Sequence, residues 1–164
     1  MTSLTRSTGP NARVSGPVAR ASGLGADTRV DHPSAPYTEI QATVASRDGG
    51  DVLARFHVML AEAAESVALN GDLLDRGAAA GTGDSAGAAA QSGGAGLGWA
   101  ESSRGEALAW LELGPAGRIS RARLRPAAVR NWRGFDDACR SRNVFTDIPI
   151  IEASFWLTVA GTAR

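Results

Sequence analysis

The side chains that could do chemistry in this chain are few and scattered. Cys139 is the only cysteine, so neither a disulfide framework nor a thiolate cluster for a soft metal can be assembled from the sequence. His32 and His57 lie far apart, and no neighbouring acid or thiol completes a nucleophile–base–orienter set with either. His32 reads as a polar loop residue and His57 as a residue on a helix face. The glycine-rich runs, GLGAD from Gly23 and the stretch 76–97, lack the strand-before, helix-after setting that makes a phosphate cradle or a dinucleotide fingerprint. The recurrent chemistry is that of the guanidinium: all 17 basic residues are Arg and none is Lys. Arginine is a fixed, planar donor suited to carboxylate and phosphate partners.

Charge is unevenly placed although the formal net charge is zero. Asp48 to Arg76 holds six acids and two arginines, net −4, while Arg104 to Arg142 holds nine arginines and four acids, net +5. The simplest consequence is that the two halves lean on each other. A nucleic-acid face would need interleaved aromatics or a recognisable module, and no nucleic-acid partner is expected. No stretch reaches the ~20 apolar residues of a membrane span, and the first residues lack a signal-peptide core. The expected location is cytoplasmic.

These residues need elements to position them. Gly50 to Gly77 is the one long apolar-periodic segment. Val52, Phe56, Met59, Leu60, Ala63, Val67 and Leu74 recur at helical spacing, with Asp51 at the favourable N-terminal end and Gly77 able to close it. Residues 1–8 read as a disordered start, and 9–77 as a turn-rich loop followed by the long helix. Within that loop unit, Tyr37 to Ala45 suggests a short strand. The Ala/Gly-rich 78–97 reads as a linker. Residues 98–164 then supply an antiparallel sheet, from Gly98–Ser102, Glu106–Leu113 and Arg118–Arg125, and two C-terminal helices. Arg121, Arg123 and Arg125 fall on one face of the third strand. The first of the two helices, Pro126 to Arg142, carries Val129, Trp132, Phe135 and Cys139 on its apolar side, which places Cys139 as a buried thiol. The second, capped by Thr146 or Asp147, runs through Ile150, Ile151 and Phe155. The fold class is α+β, and Val129, Trp132, Phe135, Ile150, Ile151 and Phe155 are expected to cover part of the long helix. A flank of that helix is expected to stay bare.

Four blocks in order resemble one family. Gly16–Gly23 (GPVARASG) with Asp27, Arg29, Asp31, His32, Pro33 and Tyr37 is similar to a GxxxRxSG…D-x-R…Y loop. Gly50, Asp51 and Arg55 match GDxxxR. Arg104, Gly105 and Glu106 resemble a PRGE hairpin, and Asn143 to Ile151 resembles a closing helix with a tail to Arg164. The family is the large subunit shared by [NiFe]-hydrogenases and respiratory complex I, where it is the D subunit of NADH-quinone oxidoreductase; the flavour is nearest formate-hydrogenlyase-type large subunits. The resemblance is to the family's C-terminal half and implies an incomplete version of the hydrogenase large-subunit bundle.

The resemblance also implies roles. Arg20, Arg29, Arg55 and Arg164 become structural or interface residues, with Arg20, Arg29 and Arg55 holding the loop through ion pairs. The tail C-x-x-C that binds nickel and iron in hydrogenases falls on Thr158 and Gly161, neither of which can give a thiolate. The tail aspartate of complex I falls on Trp156. No catalytic, cofactor-binding or metal residue is therefore assigned in this chain. The implied setting is an oxidoreductase complex at the inner face of the cell membrane, with the iron–sulfur cluster in a small partner subunit and NAD and quinone at the level of the complex. The alternative is a degenerate, free-standing, non-catalytic binding or scaffold module.

Overall fold

The computed structural model describes residues 14–34, 36–80, 93–140 and 143–159. The chain enters through two single-turn helices, α1 (Pro17–Arg20) and α2 (Thr28–Asp31), and continues into the long helix α3 (Val52–Ala80). Strands β1 (Gly94–Ser102), β2 (Gly105–Leu113) and β3 (Ile119–Arg125) follow, then α4 (Ala128–Arg140) and α5 (Ile148–Phe155). The α+β expectation holds: one long helix, shorter helices and a small antiparallel sheet in the order β1-β2-β3.

Local chemistry sets these boundaries. The Asp27 carboxylate caps α2 by accepting from the Arg29 backbone N–H at 3.0 Å, and Asp51 accepts from the Ala54 N–H at 2.8 Å at the start of α3, each satisfying a donor that the helix itself leaves open. Pro149 occupies the first turn of α5, where its missing N–H costs nothing. Trp156 ends α5 in the left-handed conformation, φ 52° and ψ 44°, a geometry that costs a non-glycine residue about 1 kcal/mol. β1 and β2 form a hairpin around Ser103 and Arg104, with Ser102 paired to Gly105. β2 and β3 are joined through the turn at Pro115–Gly117, with an irregularity at Glu112/Leu113.

Among the described residues, two small cores hold the helices. In one, Val18, Ala138, Ile151 and Phe155 are buried, with Val14, Val52, Phe135 and Leu157 packed around them. In the other, Ala21, Ala54 and Val58 meet Ala45. The loop carrying α1 is thus clamped between α3 on one side and α4 and α5 on the other.

Several expectations change. Tyr37 to Ala45 forms no strand: the Glu39 and Ile40 N–H groups turn back to the Pro36 carbonyl at 2.9 and 3.2 Å, so the backbone donors are spent on a turn rather than a ladder. The segment expected as linker is ordered at both of its described ends, since α3 runs to Ala80 and β1 starts at Gly94; residues 81–92 lie outside the described residues, as do the start at 1–8, Gly161 and Arg164. Cys139 is half-buried, and its neighbour Ala138 takes the fully enclosed position. The largest change concerns α3. Its buried face is Ala54, Arg55 and Val58, while Phe56, Leu60, Val67 and Leu74 are 54–73% exposed. Ala54 and Val58 pack against Ala21 of the α1 loop, so the face covered is not the one richest in large apolar side chains. α5 packs on α3, whereas α4 packs on α5, and Val129 and Ile150 remain exposed.

Candidate functional site

The first cluster of charge in the molecule is built around Arg20. Position 20 ends the α1 turn and is 1% exposed. Its backbone carbonyl accepts from the Arg47 N–H at 2.9 Å and from Ser46 Oγ at 3.1 Å, which stitches the entry loop to the segment before α3. Its guanidinium reaches three elements at once. Nε donates to Glu62 of α3 at 2.5 Å, and Nη1 donates to Glu101 of β1 and to the Ala26 carbonyl, each at 2.9 Å. Asp27 lies 3.4 Å from Nη1.

Asp27 is the second node. Arg29 grips it two-handed, Nε to Oδ1 at 3.0 Å and Nη2 to Oδ2 at 2.7 Å, and the Arg29 guanidinium also lies over the Tyr37 ring at 5.9 Å. Glu101 closes the circuit by accepting from the Thr28 N–H at 3.2 Å. Burial alone would raise the Asp27 carboxyl, but the side-chain and backbone hydrogen bonds from Arg29 outweigh it and hold Asp27 below the usual aspartate range. Burial raises Glu62, with Arg20 pulling it back only in part. Burial would lower Arg20, yet Glu62 and Glu101 more than offset this. Every charge in the cluster faces an opposite one, the condition under which buried ions are tolerated.

Arg55 behaves differently. It is 0% exposed, and among the described residues no carboxylate bonds it. Nε donates to Ser154 Oγ and Nη1 to the Gly50 carbonyl, both at 2.9 Å, and the guanidinium stacks on Phe155 at 4.5 Å. Its Nη2 has no hydrogen-bond partner among the described residues. Burial drops its pKa to about 10, with Asp51 opposing only through space. The expected ion pair at Arg55 is thus replaced by neutral acceptors: Asp51 spends its carboxylate on the helix start, and Ser154 and Gly50 fill the gap. Arg20 and Arg29 do hold the loop by ion pairs.

Two hollows adjoin this framework. A polar cavity of about 280 Å³ is lined by Arg20, Arg29, Tyr37, Glu62, Glu101 and Trp156 among others. An apolar groove of about 860 Å³ opens between α3 and α5, over Leu53, Phe56, Met59 and Ile150. Trp156 lines both, under the Arg104 guanidinium at 5.6 Å. Arg104 belongs to a seam where the entry loop meets the hairpin. A Cβ placed on Gly16, φ 64°, would sit 2.3 Å from the Arg104 carbonyl oxygen, and one on Gly105, φ 120°, would sit 2.6 Å from the Gly16 nitrogen. Asn131 of α4 locks the seam, its Oδ1 accepting from the Ser15 N–H at 2.8 Å and its Nδ2 donating to the Arg104 carbonyl at 3.4 Å.

The structure brings Arg20 and Arg29 together and sets Arg55 apart. His32 packs edge-on against Trp99 at 6.0 Å, and His57 is exposed. Sequence reasoning missed Glu62, Glu101 and Asn131. Glu62 carried one usable signal: it falls on the same stripe of α3 as Arg55 and Val58 at helical spacing.

A family profile described as respiratory-chain NADH dehydrogenase, 49 Kd subunit, matches residues 2–86, just over half of the chain and all of the arginine loop and α3. The chain belongs to that family. The NADH-quinone oxidoreductase D subunit numbered 1 of Streptomyces coelicolor is 49% identical over 65 residues, 38% of this chain and 17% of that protein. The D subunit numbered 2 of Salinispora tropica is 45% identical over 62 residues, 38% of this chain and 16% of that protein. The matched stretches are thus a small part of these relatives. Among solved structures, a chain of the membrane-bound sulfane sulfur reductase, an archaeal respiratory membrane complex, superposes with a TM-score of 0.85 at 21% identity. That likeness covers 100% of this chain and 46% of the other, and it shows a shared fold that includes the sheet and α5.

The metal site of the hydrogenase branch can be tested against the donors present. Thr158, which the resemblance alone sets at one of the two thiolate positions, offers a neutral hydroxyl, a hard donor unsuited to a soft metal. Among the described residues no group of three or more His, Cys, Asp or Glu converges to hold a metal ion. Cys139 is a lone thiol on α4, raised by burial and by Asp136 and Glu152. Among the described residues, the side chains do not fit a nickel–iron centre.

Proposed function

We propose that this chain, similar to the D subunit, is a structural component of a membrane-associated NADH-quinone oxidoreductase-type or energy-converting hydrogenase-type complex, packing against a small iron–sulfur subunit and carrying no catalytic centre of its own. The supporting observation is the division of α3. One face is committed to an arginine–carboxylate framework, and the other presents Leu53, Phe56, Leu60, Val67 and Leu74 to solvent. An exposed apolar face this long on a rigid support fits a protein–protein contact. In this reading the iron–sulfur cluster sits in the partner, NAD and quinone act elsewhere in the complex, and the chain lies peripherally at the inner face of the membrane. No helix among the described residues is long and apolar enough to cross a membrane.

Tagged full-length chain, recovered from its host in mild detergent, should bring down an iron–sulfur subunit identifiable by mass spectrometry; recovery of the chain by itself would overturn the reading. Anaerobically purified chain should carry no stoichiometric nickel. Retained nickel at one per chain would show that a metal centre exists and that the inactive assignment is wrong.

A further inference from the structure

β3 is the outer strand of the sheet, and among the described residues no strand pairs with its far side. Every residue from Ile119 to Arg125 is exposed. Arg121, Arg123 and Arg125 stand on one face of it, about 7 Å apart in sequence order. Their opposite numbers on β2 are Glu112, Trp110 and Leu108. Glu112 reaches Arg121 at 3.7 Å; among the described residues, Arg123 and Arg125 face no acid across the strand pair. The row therefore has a free backbone edge, a fixed two-residue period and, at Arg123 and Arg125, positive charge that no acid faces across the strand pair among the described residues.

We propose that β3 is a docking edge for an extended acidic segment of a partner protein, which adds as a fourth strand and sets carboxylates at alternate positions beside Arg121, Arg123 and Arg125. Backbone pairing supplies the register and the cross-strand charge pairs supply the selectivity. The period argues for this occupant over a lipid surface, because a strand repeats its side chains at the same spacing whereas headgroups have no fixed register. This surface is separate from the exposed face of α3, so the inference stands or falls independently of the proposed function.

The test uses the full chain and a synthetic extended peptide with Glu at alternate positions between Thr and Val, followed by fluorescence anisotropy at low and physiological salt. The peptide should bind, and the same peptide with its central amides N-methylated should bind at least about tenfold more weakly. The double variant Arg123→Glu, Arg125→Glu should lose the acidic peptide and gain the matching Lys-bearing one; both sites are exposed, so circular dichroism should be unchanged. Equal binding of the methylated and unmethylated peptides, or no binding of the acidic peptide at low salt, overturns the proposal. So does capture of wild-type chain, but not of the double variant, by phosphatidylserine vesicles at concentrations where the peptide does not bind.

Discussion

Arg20 is the residue whose loss the molecule should tolerate least. Replacing it with Ala leaves Glu62 and Glu101 enclosed without their counter-charge, a situation that costs about 3–5 kcal/mol, and denaturant titration of the variant should show a loss in that range. Asp27 adds a pH signature. Its folded pKa lies below its unfolded one, so its contribution is fully present above the ordinary aspartate value of about 3.9 and fades as pH falls through the lowered folded value. The stability gap between wild type and Asp27→Asn should therefore be constant from about pH 5 to about pH 7 and should close on acidification. A gap that widened toward low pH would contradict the bidentate pairing with Arg29.

Among the elements, the glycine seam between the entry loop and the β1–β2 hairpin admits no side chain. Gly16→Ala places a methyl against the Arg104 carbonyl at a positive φ, and should destabilise by about 2–4 kcal/mol. The exposed face of α3 should respond in the opposite manner. Phe56→Ser with Leu60→Gln should change the stability of the isolated chain by less than about 1 kcal/mol while abolishing co-purification of the iron–sulfur partner. A large stability loss would mean that these side chains are already covered. The elements themselves were largely legible: the period of α3, the two hairpin turns and Pro149 all act through local rules. The buried face of α3 was not, because hydrophobic periodicity ranks faces by bulk, and here Ala54 and Val58 were chosen by the approach of Ala21 and the α1 loop. The loop arginines were legible through the family pattern. Their partners were not, since Glu62 and Glu101 lie 42 and 81 residues from Arg20 and nothing local ties them to it.

At the scale of the molecule, the described residues form two small cores and a charged framework that support a long exposed apolar strip. In the proposed assembly, much of the hydrophobic gain would come on association. The purified chain should unfold over a broad thermal range, and a saturating partner should raise and sharpen the transition, as any ligand selective for the native state does. A sharp transition without a partner would place the stabilising contacts inside the chain.

Trp156 offers an optical consequence. It is 46% exposed, divides the apolar groove from the polar cavity, and lies under Arg104. An indole in that position emits according to how much water and charge it meets. An occupant of the groove should strip water from one of its faces and move its emission toward the blue; an anion drawn into the polar cavity should act through Arg104 on the other face and shift it differently. Subtracting the spectrum of Trp156→Phe removes the background of Trp99, Trp110 and Trp132. The same ring that closes α5 thus gives the protein a built-in indicator of which of the two hollows it borders is filled.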